Sequence, residues 1–345
     1  MARIFTVIAF VLLPFVYSDE DILKIKIEQG VLQGKYAQTL KGRTFSSFTG
    51  IPYAKPPIGE LRFKRSIPAE PWEGVLDATK SHPMCPQINV YLNDYTPKGE
   101  EDCLYLNVFT PQLPDSKKEL LPVIFYIHGG GFMCGKADWY GPEILLDQNV
   151  ILVSTNYRVG ALGFISTGDE VVPGNNGLKD QNLALRWTKK NIKQFGGDPN
   201  KITVFGQSAG GASTHYHTLS PLSRDLINGA IMNSGTALGS WSFDSTGENA
   251  KNTKKLAKLL DCPTTSSLEM VECLRKVDAI KIVEQDKNFG VWSYHPMVPF
   301  KPVIEPDLEG AFLTEDPIHI IKSGKAAKVP IMTGLTSEDG ALASK

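Results

Sequence analysis

Ile202-Thr203-Val204-Phe205-Gly206-Gln207-Ser208-Ala209-Gly210 is the stretch on which the fold turns. A short run of β-branched and apolar residues leads straight into Gly-Gln-Ser-Ala-Gly, and a helical pattern follows. A strand-to-helix turn this tight needs small residues two before and two after the serine, because side chains there would collide with neighbouring backbone. The turn would lift Ser208 Oγ clear of the sheet's carboxyl end and set it at a helix N-terminus, where backbone N–H groups favour developing negative charge. A bare Gly-x-Ser-x-Gly is a weak signal; its position behind a strand gives it weight.

Upstream, His128-Gly129-Gly130-Gly131 follows the buried apolar run of residues 123–127. Only residues without side chains let successive N–H groups converge on one oxygen. Gly130, Gly131 and the N–H of Ala209 are therefore expected to form an oxyanion hole. Taken alone the run is an ordinary glycine turn after a strand; the serine elbow downstream favours the hole.

Residues 150–154, 230–232 and 329–332 repeat the continuous apolar pattern, with helical segments between them. Such runs predict an α/β fold with a mostly parallel central sheet and helices on both faces. Leu23, Ile25 and Ile27 instead alternate with charged residues and predict antiparallel strands at the start. Leu178, Leu185 and Ile192, widened by Ala184 and Trp187, mark the clearest helix, which Gly196-Gly197-Asp198-Pro199 ends. Further helices are expected near residues 251–260 and 268–275. No repeat or interdomain linker is visible, so residues 19–345 read as one domain, with residues 241–302 inserted over the functional edge of the sheet.

With 345 residues, 42% hydrophobic, 21% charged and a net charge of −1, the chain can bury a large core. That balance leaves no electrostatic footprint for nucleic acid or an anionic membrane, so a small neutral partner is expected. Residues 1–18 read as a secretory signal peptide: Arg3 precedes a nearly all-apolar run, interrupted by Pro14 and short of the roughly 20 residues a membrane span needs. Export suits disulfides. Of the five cysteines, Cys85 and Cys103 bracket a polar segment, Cys262 and Cys273 bracket a second short one, and Cys134 is left beside the glycine run. Cys134 reads as a small buried residue, with a reactive thiol as the alternative. There is no Asn-x-Ser/Thr acceptor and no zinc-type spacing, since His215 and His217 fall on divergent helical faces.

The chain resembles the type-B carboxylesterases of the α/β-hydrolase superfamily, and is most similar to insect carboxylesterases. Four segments carry the likeness: Glu101-Asp102-Cys103-Leu104-Tyr105-Leu106-Asn107-Val108, the His128 to Phe132 loop, Asn156-Tyr157-Arg158-Val159-Gly160, and the run from Phe195 to Gly210. The resemblance implies an acyl-enzyme on Ser208 and hydrolysis of a small-molecule ester, without cofactor or metal. It implies Asp339 as the acid of a triad, with Glu338 as the alternative. Trp241 and Phe300 fall where relatives line the acyl pocket; they also read as core aromatics. The family's disulfides match Cys85 with Cys103 and Cys262 with Cys273. Its buried ion pairs match Arg62 with Glu101 and Arg158 with Asp180.

Three departures stand out. Most relatives carry glutamate where Gln207 stands, and juvenile hormone esterases as a group share the glutamine. Residues 87–100 contain no tryptophan, which argues against a choline-binding esterase. The family's catalytic histidine lies well after the acid, whereas only residues 340–345 follow Asp339, so a C-terminally truncated chain is expected. None of the six histidines can take its place by chain order: His128 belongs to the glycine loop, and His215 and His217 lie about two helical turns past Ser208. An impaired, esterase-like protein that binds or sequesters its ligand is the alternative. Nothing in the sequence sets an oligomeric state.

Overall fold

Leu23, Ile25 and Ile27 are buried while Lys24 and Lys26 face solvent, in a computed structural model that describes residues 23–343 apart from Asn93 and residues 292–297. The leader expected over residues 1–18 lies outside the described residues. In chain order the strands are β1 (Lys24–Lys26), β2 (Val31–Gln33), β3 (Lys35–Gln38), β4 (Thr44–Pro52), β5 (Val75–Asp77), β6 (Gln87–Asn89), β7 (Asp94–Lys98), β8 (Tyr105–Thr110), β9 (Leu121–Ile127), β10 (Ile151–Thr155), β11 (Gly197–Gln207), β12 (Gly229–Asn233) and β13 (Ile331–Gly334). The helices are α1 (Gly160–Phe164), α2 (Asn176–Asn191), α3 (Ala209–Leu219), α4 (Glu248–Leu259), α5 (Ser267–Lys276), α6 (Ala279–Glu284) and α7 (Pro317–Lys322).

The central sheet has eight strands in the order β13-β12-β11-β9-β10-β8-β4-β3. The five from β13 to β10 are parallel and the last three antiparallel. Every residue of β10 is buried, as a strand covered on both faces requires. The N-terminal run pairs antiparallel as expected, β1 with β2.

Sheet order also decides which face each connection takes. β10 and β11 flank β9 on opposite sides, so chain direction along the sheet reverses there. Right-handed crossovers then send the β9–β10 connection to one face, and α2 and α3 to the other. The two cores match this division. Val123, Phe125, Ile127, Ile202 and Val204 pack with Leu178, Leu185, Ala212 and Tyr216 in the large core. Tyr126, Leu152, Phe109 and Phe45 form a smaller core with Leu146 on the opposite face.

Helices were expected on both faces. Among the described residues they pack on the large core alone, and the second face is covered by 3-10 turns at Ala137–Trp139 and Leu145–Asp147. Gly135, Gly141 and Pro142 break the β9–β10 connection too often for a helix to propagate there.

Both expected disulfides are present, Cys85–Cys103 and Cys262–Cys273. Both expected ion pairs form as well. Arg158 Nε and Nη2 each lie 2.7 Å from an oxygen of Asp180, with both side chains buried. Arg62 pairs with Glu101 and donates to the carbonyls of Leu274 and Arg275, tying β8's approach to the end of α5. Removing one member of such a pair leaves an uncompensated buried charge. Asp180→Ala is expected to cost about 3–5 kcal/mol, read as a lowered urea midpoint at unchanged m-value; a shift below about 1 kcal/mol would mean that Arg158 finds water instead.

Candidate active site

Ser208 stands between β11 and α3 with φ +56° and ψ −121°, a positive-φ backbone conformation that a non-glycine residue rarely adopts. Contacts on both sides hold it there. Its N–H donates to Asn233 O at 2.8 Å, and its carbonyl accepts from the Ala212 N–H at 2.9 Å. A Cβ on Gly206 would lie 2.2 Å from the Gly210 carbonyl, and one on Gly210 would lie 2.0 Å from Ile127 O. The small residues expected around the serine are thus demanded by backbone contact, within the elbow and across to β9.

The glycine loop leaves the end of β9, the strand beside β11. Gly130 and Gly131 have φ +111° and +61°, and the Gly130 carbonyl accepts from the N–H groups of Met133 and Cys134 at 2.9 and 3.0 Å. An ideal Cβ on Gly129 would fall 3.2 Å from Ser208 Cβ, so the loop lies directly against the elbow. Phe132 O accepts from Gly160 N–H at 2.6 Å, which straps the loop to the start of α1. The two motifs meet at the carboxyl ends of β9 and β11, where the sheet's winding reverses; open α/β sheets form their ligand crevice at such a point.

His128 underpins the loop. Its ring stacks on Tyr157 with centroids 4.3 Å apart, and Nδ1 lies 2.8 Å from Gly129 O. A carbonyl only accepts, so Nδ1 carries the proton. Complete burial lowers its pKa to about 4. His217 is equally enclosed, between Ser223 Oγ at 2.7 Å and Gln181 Oε1 at 3.1 Å, and burial takes it to about 3. His215 accepts the Ala237 N–H at its Nδ1. His319 sits on the exposed side of α7. Among the described residues no histidine is hydrogen-bonded to Ser208.

Asp339 is exposed in the 3-10 turn Asp339–Ala343, beyond β13 and two strands from the elbow at the same end of the sheet. Thr336 Oγ1 donates to it at 3.2 Å. Glu338 beside it is also exposed. Trp241 is half-buried, with its ring 6.2 Å from Phe132. Phe300 is fully buried and packs on Phe289 at 5.1 Å, which leaves its ring no surface for a substrate. Gln207 is exposed where it ends β11, with its side-chain amide over Gly129. Cys134 is buried, and its thiol is pushed up to about 12 by burial and by Asp286, so it is a poor nucleophile.

Two residues near the loop carried no sequence signal. The Tyr91 phenol lies against Gly131, where a Cβ would come within 1.7 Å of it. Asp286 is buried beside Gly160. Both reach the loop through tertiary packing from distant segments. Among the described residues no group of acids, histidines and cysteines could hold a metal, and no helix is long and apolar enough to cross a membrane.

A nucleophile elbow and a glycine loop on adjacent strands of a mostly parallel sheet define an α/β-hydrolase. Residues 21–345 match the carboxylesterase family, and the chain belongs to it. It is 42% identical over 331 residues to venom carboxylesterase-6 of Apis mellifera, covering 94% of this chain and 58% of that protein. It is 45% identical to esterase FE4 of Myzus persicae, covering 95% and 57%. With the juvenile hormone esterase of Tribolium castaneum it shares 43% identity, covering 91% and 54%. The chain therefore spans less than three-fifths of the length of these relatives.

The buried histidines make stability depend on pH. Each has a folded pKa below the unfolded value near 6.5, so the unfolded chain takes up protons first. Their contribution is complete above about pH 6.5 and falls by roughly 1.4 kcal/mol per unit per histidine as pH drops toward 4 and then 3. Denaturant midpoints between pH 7.5 and 4.5 should decline less steeply in His217→Gln than in the parent chain; equal slopes would show that His217 protonates as readily folded as unfolded.

Proposed function

We propose that this chain carries the nucleophile and oxyanion hole of a secreted serine carboxylesterase, which hydrolyses carboxylic esters through an acyl-enzyme on Ser208. The observation that carries this reading is the close apposition of Gly129, the first residue of the glycine run, to Ser208 at the carboxyl ends of neighbouring strands. In this mechanism Ser208 Oγ attacks the ester carbonyl carbon while its proton passes to a histidine base outside the described residues. The N–H groups of Gly130, Gly131 and Ala209 hold the resulting oxyanion. The histidine returns the proton to the departing alcohol, and water attacks the acyl-enzyme by the same route in reverse. Asp339 is assigned to orient the histidine and Trp241 to bound the acyl side. The two disulfides support an oxidising destination, and residues 19–345 are taken as one domain.

Sequestration without turnover is a second reading. The engaged or distant ring nitrogens of the described histidines favour it. The two separate on one measurement. Under esterase action, short acyl esters are turned over repeatedly and a fluorophosphonate, losing fluoride, leaves its phosphonyl group on the Ser208 peptide; Ser208→Ala loses both. Saturable ester binding with no product and no label would select sequestration.

Gly130→Ala is expected to lower kcat by 10²- to 10³-fold, on the scale of losing one oxyanion donor. A Cβ there would lie 2.0 Å from Cys134 O and must displace the loop. Activity within about twofold of the parent would remove Gly130 from the hole.

A further inference from the structure

Asp286 is a buried acid that nothing in the reaction described above uses. It lies in the 3-10 turn Gln285–Phe289, which follows α6, and is 6% exposed. Among the described residues its Oδ1 has no hydrogen-bond partner. Its Oδ2 stands 3.5 Å from the point a Cβ on Gly160 would occupy, and the Met133 methyl and carbonyl stand 4.0 Å from that same point. Gly160 is the residue whose N–H holds Phe132 O, and Met133 is the residue whose N–H closes the loop on Gly130 O. The carboxyl thus lies beside Gly160, one of the two fastenings of the glycine loop, and Met133 of the other borders the same space.

We propose that Asp286 is a positioning residue for the glycine loop, acting through its packing on Gly160. This rests on the esterase reading for its catalytic consequence, but not for its structural one. Among the described residues a charge at this position has no counter-ion. From the loop the facing titratable group is the Cys134 thiol, itself neutral. Arg158, ahead of α1, is bound to Asp180. Lys255 of α4 lies over the Phe289 ring and donates to Asn288 O. On β7, Asp94 and Lys98 pair with each other, and on its own turn Lys287 is exposed. Burial alone pushes Asp286 up to about 8.

The sign follows from linkage. Between the unfolded value near 4 and the folded value near 8, the folded chain keeps a proton that the unfolded chain has lost. Asp286 thus lowers stability progressively from about pH 4 to 8, and its penalty is constant above that. A carboxyl kept where it destabilises the fold is the pattern of a residue that serves the site.

The test uses the full chain and Asp286→Asn, which keeps the shape and cannot ionise; Asp286→Ser serves if the amide variant does not fold. Hydrogen exchange read by mass spectrometry, corrected for intrinsic rates, should show protection of the 129–134 segment falling about tenfold between pH 6.5 and 9 in the parent chain, and holding in the variant. The variant should also melt higher than the parent at pH 7, with the gap widening up to pH 8. Equal protection and equal melting profiles would overturn the proposal. Ester turnover forms a separate arm, in which parent kcat falls on the alkaline side with KM within about twofold, and the variant's does not. A pH-dependent loop without turnover at any pH would sink the esterase reading while leaving Asp286 its positioning role.

Discussion

The approach of Gly210 to the carbonyl of Ile127 governs how the rest of the site is arranged. With no Cβ at residue 210, α3 starts directly beside the end of β9, and the elbow of β11 touches the glycine loop that leaves β9. The parallel pairing of the two strands brings their carboxyl ends level, with Gly206 opposite Ile127. A side chain at 210 would push the helix away from the end of β9 and separate the elbow from the glycine loop. Ser208 is held in its unfavourable backbone conformation from the other side too, since a Cβ on Gly235 would meet its carbonyl at 2.0 Å.

Buried charges fasten this frame at a distance from the crevice. Arg158 and Asp180 join the segment after β10 to α2. Lys179, one residue before Asp180, pairs with Glu305, whose Oε1 also accepts from Asn175 Nδ2 and from the N–H groups of Phe312 and Leu313. These links bind residues 303–313 to the start of α2 through charge-assisted hydrogen bonds that apolar packing alone would not orient. Close to the serine the chemistry is the opposite. His128 and Cys134 are neutral at physiological pH because burial disfavours their charged forms.

Much of this was legible in the chain. Apolar runs at residues 123–127, 202–205 and 230–232 lie within β9, β11 and β12, and the run at 150–154 overlaps β10, because a strand buried on both faces must be apolar throughout. The glycines at 129–131, 206 and 210 announced themselves because close backbone contact excludes every other residue. The helix beginning near Leu178 is α2, and its stop at Gly196 is a residue with φ +85°. Other features had no local signature. Tyr91 and Asp286 reach the glycine loop from segments far away in sequence, and neither sits in a motif that could reveal it. Phe300 reads equally as a pocket residue or a core aromatic and is buried in the core, since an aromatic's identity does not say which side of a wall it occupies. The face of the sheet that lacks helices was missed because helical periodicity was assumed for a connection broken by glycine and proline.

By itself, then, the sequence determined the elements, the elbow, the glycine loop and the cysteine pairs, all of which depend on local pattern or on residues that tolerate no substitute. Tertiary structure alone decided that β9 and β11 are neighbours with the winding reversing between them, that Gly129 lies against Ser208, and that the Asp286 carboxyl is buried beside Gly160. Those facts come from long-range strand order and packing, where the free energy depends on which surfaces meet and not on which residues are adjacent in the chain.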